Sequence, residues 1–173
     1  MKDLTLTSEP SDFDFLVGRW TVHHRRLKAR LVGCTDWDEF AGRSELRTLI
    51  GGRANIEENV LELPAGHYRA LTLRSFNQQT RQWAIWWLDG RHPHVLDAPM
   101  VGDFKSGVGT FYGDEIIDNR PIRVRFLWSD IATTSCRWQQ AFSADGGSNW
   151  ETNWVMEFMR DVPLPLVEMR SNQ

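Results

Sequence analysis

His24 and Glu58 are the two side chains with the clearest potential for general acid–base chemistry. His24 lies on the first predicted strand. Glu58 lies on the third, where it would face inward if the stripe from Ala54 to Val60 does so. Histidine titrates near neutral pH, and an apolar wall that excludes water would tune its pKa. The pair predicts a cofactor-free lyase, isomerase or cyclase. The alternative is a histidine that fills space and bonds a backbone carbonyl.

Histidines and cysteines elsewhere in the chain are candidates for metal or nucleophilic chemistry. His92 and His94 form an H-x-H, but the proline between them is typical of a loop rather than of a strand that aims both rings one way. Asp97 could add a third ligand, although exposed loop histidines are the commoner explanation. Cys34 lies in a turn without an activating neighbour, and Cys136 is a small core filler. We therefore predict no metal and no cofactor.

Aromatic and polar side chains alternate with a period of two along several segments, so each set shares one face of a strand. The last such stripe runs from Trp150 through Thr152 to Trp154. Seven of the nine tryptophans, all except Trp37 and Trp86, can then point into one interior. A sealed core is one explanation, but it would avoid the polar groups of the same stripes, such as Thr72, so we predict a pocket. The predicted ligand-binding residues are Arg26, Arg74, Trp83, Trp87, Trp128, Trp138, Gln140 and Trp154.

The elements that carry these side chains are predicted to be short antiparallel strands. Turn residues recur about every dozen positions, as at Gly51-Gly52 and at the Pro64 turn, and helical periodicity is nearly absent. A short helical turn precedes Gly18. The predicted strands cover about 19–31, 38–50, 53–63, 67–76, 81–88, 99–105, 108–117, 121–130, 134–143 and 149–160.

Sequential hairpins of this kind favour one all-β domain, a closed antiparallel up-and-down β-barrel of about ten strands. Closure removes the two exposed edges of a long meander, and a β-sandwich is the alternative. We predict a disordered or extended arm over 1–12, the barrel over 13–160 and a C-terminal tail over 161–173.

Charge and hydropathy restrict the partners. The net charge is −3 and the pI is about 5.9, so a nucleic-acid-binding face is not expected. No apolar run of about 18 residues suggests a membrane helix. The N-terminus lacks an apolar leader segment, which predicts a cytoplasmic protein. A homodimer is also predicted, because outward tryptophans and arginines need partners or solvent.

The segment from Phe15 to Trp20 reads F-L-V-G-R-W, and its G-x-W at the start of the first strand resembles the calycin signature. Lipocalins, fatty-acid-binding proteins and nitrobindin-like barrels share that signature. The resemblance implies that Trp20 plugs the closed end of the barrel and that Arg160 packs across it. The chain also resembles a group of bacterial calycin-like proteins of unknown activity with an F-L-x-G-x-W start. Nitrobindin-like barrels bind haem through a late histidine, whereas the last histidine here is His94, so haem is not expected.

Three hypotheses follow. The first is binding of a small apolar or aromatic molecule, with tryptophan walls and with His24, Arg26 and Arg74 orienting a polar or anionic end. The second is the cofactor-free enzyme that uses His24 as acid or base. The third is an interaction module with a filled barrel and with Trp37 or Trp86 at a partner surface.

Overall fold

Ten β-strands dominate the molecule, as predicted. The computed structural model describes residues 10–161, and a single 3₁₀ turn at Asp14–Leu16 precedes the first strand. The predicted arm and tail therefore lie outside the described residues, apart from residues 10–12 and 161. The strands are β1 Gly18–Leu27, β2 Trp37–Leu49, β3 Ala54–Leu63, β4 Gly66–Asn77, β5 Gln82–Asp89, β6 Met100–Lys105, β7 Val108–Ile117, β8 Arg120–Ser129, β9 Ser135–Ser143 and β10 Glu151–Arg160.

The strands form one closed antiparallel barrel, so the prediction of a barrel is confirmed and the sandwich is excluded. Each strand pairs with the next in sequence, and β1 also pairs with β10. That seam runs from Trp20 opposite Arg160 to Arg26 opposite Trp154. Closure leaves no sheet edge for pairing with another chain. In residues 10–161, no helix is long or apolar enough to cross a membrane.

The first strand is shorter than predicted because the chain turns away after Leu27. Leu31 adopts a φ of 61°, which a strand does not tolerate. Its amide N–H donates to the carboxylate of Glu151, at 2.8 and 3.0 Å from the two oxygens. Residues 28–36 consequently form a loop at one end of the barrel.

Trp20 and Arg160 pack together at the opposite end of the barrel. The Trp20 ring is fully buried, and its Nε1 donates to the Leu16 carbonyl at 2.8 Å. The guanidinium of Arg160 lies 4.2 Å from the centre of that ring, a cation–π contact. Arg160 also donates at 2.6–2.9 Å to the carbonyls of Phe15, Val17 and Thr133. The structure thus brings together the two residues that the calycin resemblance assigns to barrel closure.

The inward face of β3 is not the predicted one. Glu58, expected inside the barrel as a catalytic group, is exposed, and its Oε1 lies 3.0 Å from Nη1 of Arg69 in an outer ion pair. The prediction that Glu58 faces the interior is therefore wrong. The buried residues of β3 include the polar set Asn55, Glu57 and Asn59.

The β3–β4 turn explains this inward face. Leu63 pairs with Gly66 across a two-residue turn, and the same register places Asn55 opposite Arg74. Residues directly opposite each other in an antiparallel pair project from the same face. Arg74 points into the barrel, so Asn55 and Glu57 do as well.

A β-bulge at Asn153 interrupts the predicted stripe on the last strand. The register passes from Thr152 opposite Ala141 to Trp154 opposite Gln140, which leaves Asn153 as the extra residue. Such a bulge reverses the alternation of faces. Trp154 consequently faces inward, whereas Thr152 and Trp150, both predicted inside, do not. The Trp150 ring lies on the outside of the barrel, 4.5 Å from the guanidinium of Arg125.

Candidate ligand-binding cavity

A cavity of about 120 Å³ lies inside the barrel and opens toward the end opposite Trp20 and Arg160. Strands β3 to β10 and the loop before β6 form its wall, and β1 and β2 contribute nothing to it. Its lining residues are Glu57, Asn59, Thr72, Arg74, Ile85, Trp87, Asp97, Ala98, Met100, Glu115, Phe126, Trp128, Trp138, Gln140, Trp154, Met156 and Phe158.

A buried ion pair belongs to the wall of this cavity. Nη2 of Arg74 lies 2.5 Å from Oε2 of Glu57, and both side chains are only 3% exposed. Nη1 of Arg74 donates to Oδ1 of Asn55 at 3.1 Å. The guanidinium also lies 4.8 Å from the ring centre of Phe13 and 5.8 Å from that of Trp128. These contacts hold a charged group in an apolar interior where an unpaired charge would be strongly unfavourable.

Three polar atoms of this cluster have no hydrogen-bond partner in the described part of the chain. They are Oε1 of Glu57, Nε of Arg74 and Nε1 of Trp128, and each is buried. Buried polar atoms are almost always satisfied by protein or by water, and each exception needs an explanation. All three belong to side chains that line the cavity. The wall side chains therefore carry one unsatisfied acceptor and two unsatisfied donors, each of them packed inside the wall.

Aromatic rings form a second part of the wall. Trp154 meets Trp138 with ring centres 5.6 Å apart and an interplanar angle of 86°, and it meets Trp87 at 6.1 Å and 80°. Phe126 packs on Trp138 at 4.8 Å and 65°. Edge-to-face contacts of this kind are favourable and fix ring orientation. The result is an apolar surface built from aromatic rings that pack edge to face.

His24 lies behind the cavity wall rather than in it. Its Nδ1 accepts a hydrogen bond from Nε1 of Trp154 at 3.2 Å, and its ring stacks on Phe40 with centres 4.7 Å apart. Gly42 leaves room for it, since a Cβ there would approach Nε2 to 2.4 Å. His24 is not a lining residue of the cavity. Its hydrogen bond fixes the position of the Trp154 indole, which does line the cavity.

The electrostatics of His24 do not favour acid–base catalysis. Burial, followed by the nearby charges of Arg26 and His23, lowers the pKa of His24 to about 3. The imidazole is therefore neutral near pH 7, far from the matched pKa that a general acid or base requires. Arg26 covers the same region, with its guanidinium 5.3 Å from the Trp154 ring centre and 5.6 Å from that of Phe40. Together these side chains fill the β1–β2 side of the barrel.

The mouth of the cavity carries two acidic side chains. Asp97, Ala98 and Glu115 line it. Partial desolvation, and secondly the carboxylate of Asp97, raises the pKa of Glu115, while the nearby Arg30 lowers it. A charged ligand group at the mouth would thus meet the carboxylates of Asp97 and Glu115.

Six of the eight predicted ligand-binding residues line the cavity: Arg74, Trp87, Trp128, Trp138, Gln140 and Trp154. Arg26 lies beside the wall. Trp83 lies below it, where its ring packs at 5.1 Å on Phe13 and its Nε1 donates to Asp12 at 2.9 Å. Sequence reasoning missed Glu57, the partner of Arg74. The two-residue β3–β4 turn was a usable signal, because an inward Arg74 requires Asn55 and Glu57 to face inward as well.

The candidate metal ligands are not brought together. His92, His94 and Asp97 lie exposed in the β5–β6 loop. Among residues 10–161, no group of three or more histidine, cysteine or acidic side chains could hold a metal ion. Burial, and secondly the charge of Glu57, raises the pKa of Cys136 to about 12, so that thiol stays protonated.

Comparisons with known proteins concern the fold. No protein-family model matches the chain, and no curated protein matches its sequence. The structure is similar to that of the S-type phycobiliprotein lyase CPES from Guillardia theta, with a TM-score of 0.58, 9% identity, and coverage of 88% of this chain and 92% of that one. A second similar structure is EF1p2_mFAP2b bound to DFHBI, with a TM-score of 0.47, 10% identity, and coverage of 89% and 100%. The closed ten-stranded barrel and its likeness to the lyase fit a calycin-like fold.

Proposed function

We propose that this protein binds a small aromatic molecule in the barrel cavity. The observation that carries the proposal is a cavity whose wall combines four tryptophans and two phenylalanines with the buried Glu57–Arg74 pair. Apolar walls with a few placed polar groups are the usual composition of a ligand site. A cavity kept only for packing would have no use for the Glu57–Arg74 pair.

The volume sets the size of the bound group. A cavity of about 120 Å³ is slightly smaller than an engineered cavity of ~150 Å³ that accepts benzene. The enclosed space is therefore on the scale of a single aromatic ring. A larger ligand would extend through the mouth past Ala98.

Tryptophan fluorescence tests the proposal, because Trp87, Trp138 and Trp154 line the cavity. The protein is titrated with single-ring aromatic compounds and excited at the red edge of the indole band. Saturable quenching or a spectral shift with at least one compound is expected. The absence of any response in a folded protein would refute the proposal.

Two matched variants locate the binding. Ala98 is exposed at the mouth, so Ala98→Phe should obstruct entry and weaken binding without disturbing the core. Ala132 is also exposed but lies in the β8–β9 loop at the closed end, so Ala132→Phe should leave binding unchanged. Equal affinities in both variants would place the ligand elsewhere.

A further inference from the structure

The charged side chains of the cavity lining leave it with an excess of negative charge. Its ionisable members are Glu57, Arg74, Asp97 and Glu115. Glu57 and Arg74 compensate each other as a buried pair. Asp97 and Glu115 therefore determine the net charge of the surface that a molecule meets as it enters the cavity.

Glu115 reaches the mouth from the inner face of β7. Successive side chains of a strand point to opposite faces, so Glu115 shares its face with Phe111 and Gly113. Phe111 is fully buried, and a Cβ at Gly113 would approach Sδ of Met100, another lining residue, to 2.6 Å. Asp114, one residue earlier, projects to the outside of the barrel and does not line the cavity.

Asp97 reaches the same mouth from the β5–β6 loop, and its charge acts on Glu115. Partial desolvation is the largest cause that raises the pKa of Glu115, and the carboxylate of Asp97 is the next. The guanidinium of Arg30 lowers that pKa, but by less than Asp97 raises it. A cation placed at the mouth would relieve the repulsion between the two carboxylates.

We infer that the ligand of this cavity is a protonated arylalkylamine, whose ring enters the barrel and whose cationic group stays at the mouth beside Asp97 and Glu115. This inference rests on the proposed function, since it names the chemical class of the molecule in that cavity. The tryptophan-rich wall is compatible with such a ligand, because the faces of indole rings also attract cations.

An anionic ligand is the competing class, because two guanidinium groups lie near the open end. Arg26 is engaged over the rings of Trp154 and Phe40. Arg30 lies 5.5 Å from the ring centre of Phe142. Neither arginine lines the cavity, whereas both carboxylates do. The uncompensated charges that face the cavity are thus negative, and they favour a cation over an anion.

Calorimetric titration with three matched probes at neutral pH tests the inference: phenethylammonium, phenethyl alcohol and phenylpropionate. Each carries one ring on a two-carbon tether, and the three differ in the charge at its end. The ammonium compound should bind about fivefold more tightly than the alcohol, a gain typical of an exposed ion pair, and the carboxylate should bind most weakly. Added salt should reduce the preference for the ammonium compound.

A pair of neighbouring variants assigns the preference to the mouth. Glu115→Gln removes a lining carboxylate, so the affinity for phenethylammonium should fall about threefold while that for phenethyl alcohol stays the same. Asp114→Asn removes an equal charge from the outer face and should leave both affinities unchanged. Binding of the alcohol to each variant also verifies that its cavity is folded.

The outcomes separate the two proposals. If phenethyl alcohol or phenylpropionate binds as tightly as phenethylammonium, the cationic class is overturned and the proposed function stands. The same holds if Glu115→Gln and Asp114→Asn change the affinity for phenethylammonium equally. If none of the three probes binds the wild-type protein, the proposed function itself is overturned.

Discussion

Replacing Glu57 by glutamine should destabilise the barrel by about 3 kcal/mol. Both members of the Glu57–Arg74 pair are 3% exposed, and their charged atoms lie 2.5 Å apart. Removing one partner of a buried pair typically costs about 3–5 kcal/mol because the other charge is left uncompensated. Arg74 keeps its bond to Asn55 and its contact with the Phe13 ring, and glutamine still offers an acceptor, so the lower part of that range applies.

The neighbouring residue provides the control. Glu58 is 60% exposed, and its partner Arg69 is 69% exposed, so their ion pair is screened by solvent. Glu58→Gln should therefore change the free energy of unfolding by less than about 0.5 kcal/mol. Two adjacent glutamates thus differ several-fold in their contribution, only because they lie on opposite faces of β3.

Urea unfolding followed by far-ultraviolet circular dichroism measures both variants, with stability taken from the midpoint at constant m-value. A loss of about 3 kcal/mol is a large part of the roughly 5–15 kcal/mol that stabilises a domain, so the Glu57 variant should unfold at clearly lower urea concentration. Equal stability of the two variants, or a larger loss for Glu58→Gln, would refute the assigned register of β3 and with it the polar cluster of the cavity.

Two further predictions follow from perturbed pKa values. Because His24 has a folded pKa of about 3 against an ordinary value of 6.5, the unfolded chain binds one more proton within that window. The free energy of unfolding should therefore fall by about 1.4 kcal/mol per pH unit as the pH drops from 6.5. His24→Gln, which keeps an acceptor for Trp154, should lose this part of the slope, and an unchanged slope would contradict the assignment. Cys136 is buried and its pKa is raised to about 12, so it should resist thiol reagents in the folded protein while Cys34 reacts. Mass spectrometry should therefore find one labelled thiol per native chain and two per unfolded chain. Two labels on the native chain would contradict the burial of Cys136.

Local signals were sufficient for the strands and turns. Alternation with period two depends on neighbours along the chain, and residues such as Gly51 and Gly52 mark a tight connection because they adopt positive φ at no steric cost. The number of strands, their order and most of their bounds could therefore be predicted.

The inward face of β3 could not be obtained from alternation. Both faces of this strand carry glutamate, and the preference for apolar residues inside favoured the stripe that contains Ile56 and Glu58. The stripe of Asn55 and Glu57 is inside because Arg74 on the next strand compensates its polar groups. The length of the β3–β4 turn contains that information, but only once the two strands are paired across it.

The last strand shows a second limit of local patterns. Trp150, Thr152 and Trp154 alternate perfectly in the sequence, yet the bulge at Asn153 reverses the faces between them. Asn153 is fully buried and accepts a hydrogen bond from Nε2 of Gln140 at 2.8 Å. A bulge is stabilised by such cross-strand contacts, which no single segment contains.

By itself, the sequence determined an all-β chain of ten strands with tryptophan-rich inward stripes, because those features arise from neighbouring residues and from turn chemistry. The tertiary structure alone decided where the cavity lies. His24, Phe40 and Arg26 fill the β1–β2 side of the barrel, while the Glu57–Arg74 pair and the tryptophans of the other strands enclose the remaining space. The physical reason is that the volume inside a closed barrel depends on side chains that meet across it from strands distant in sequence.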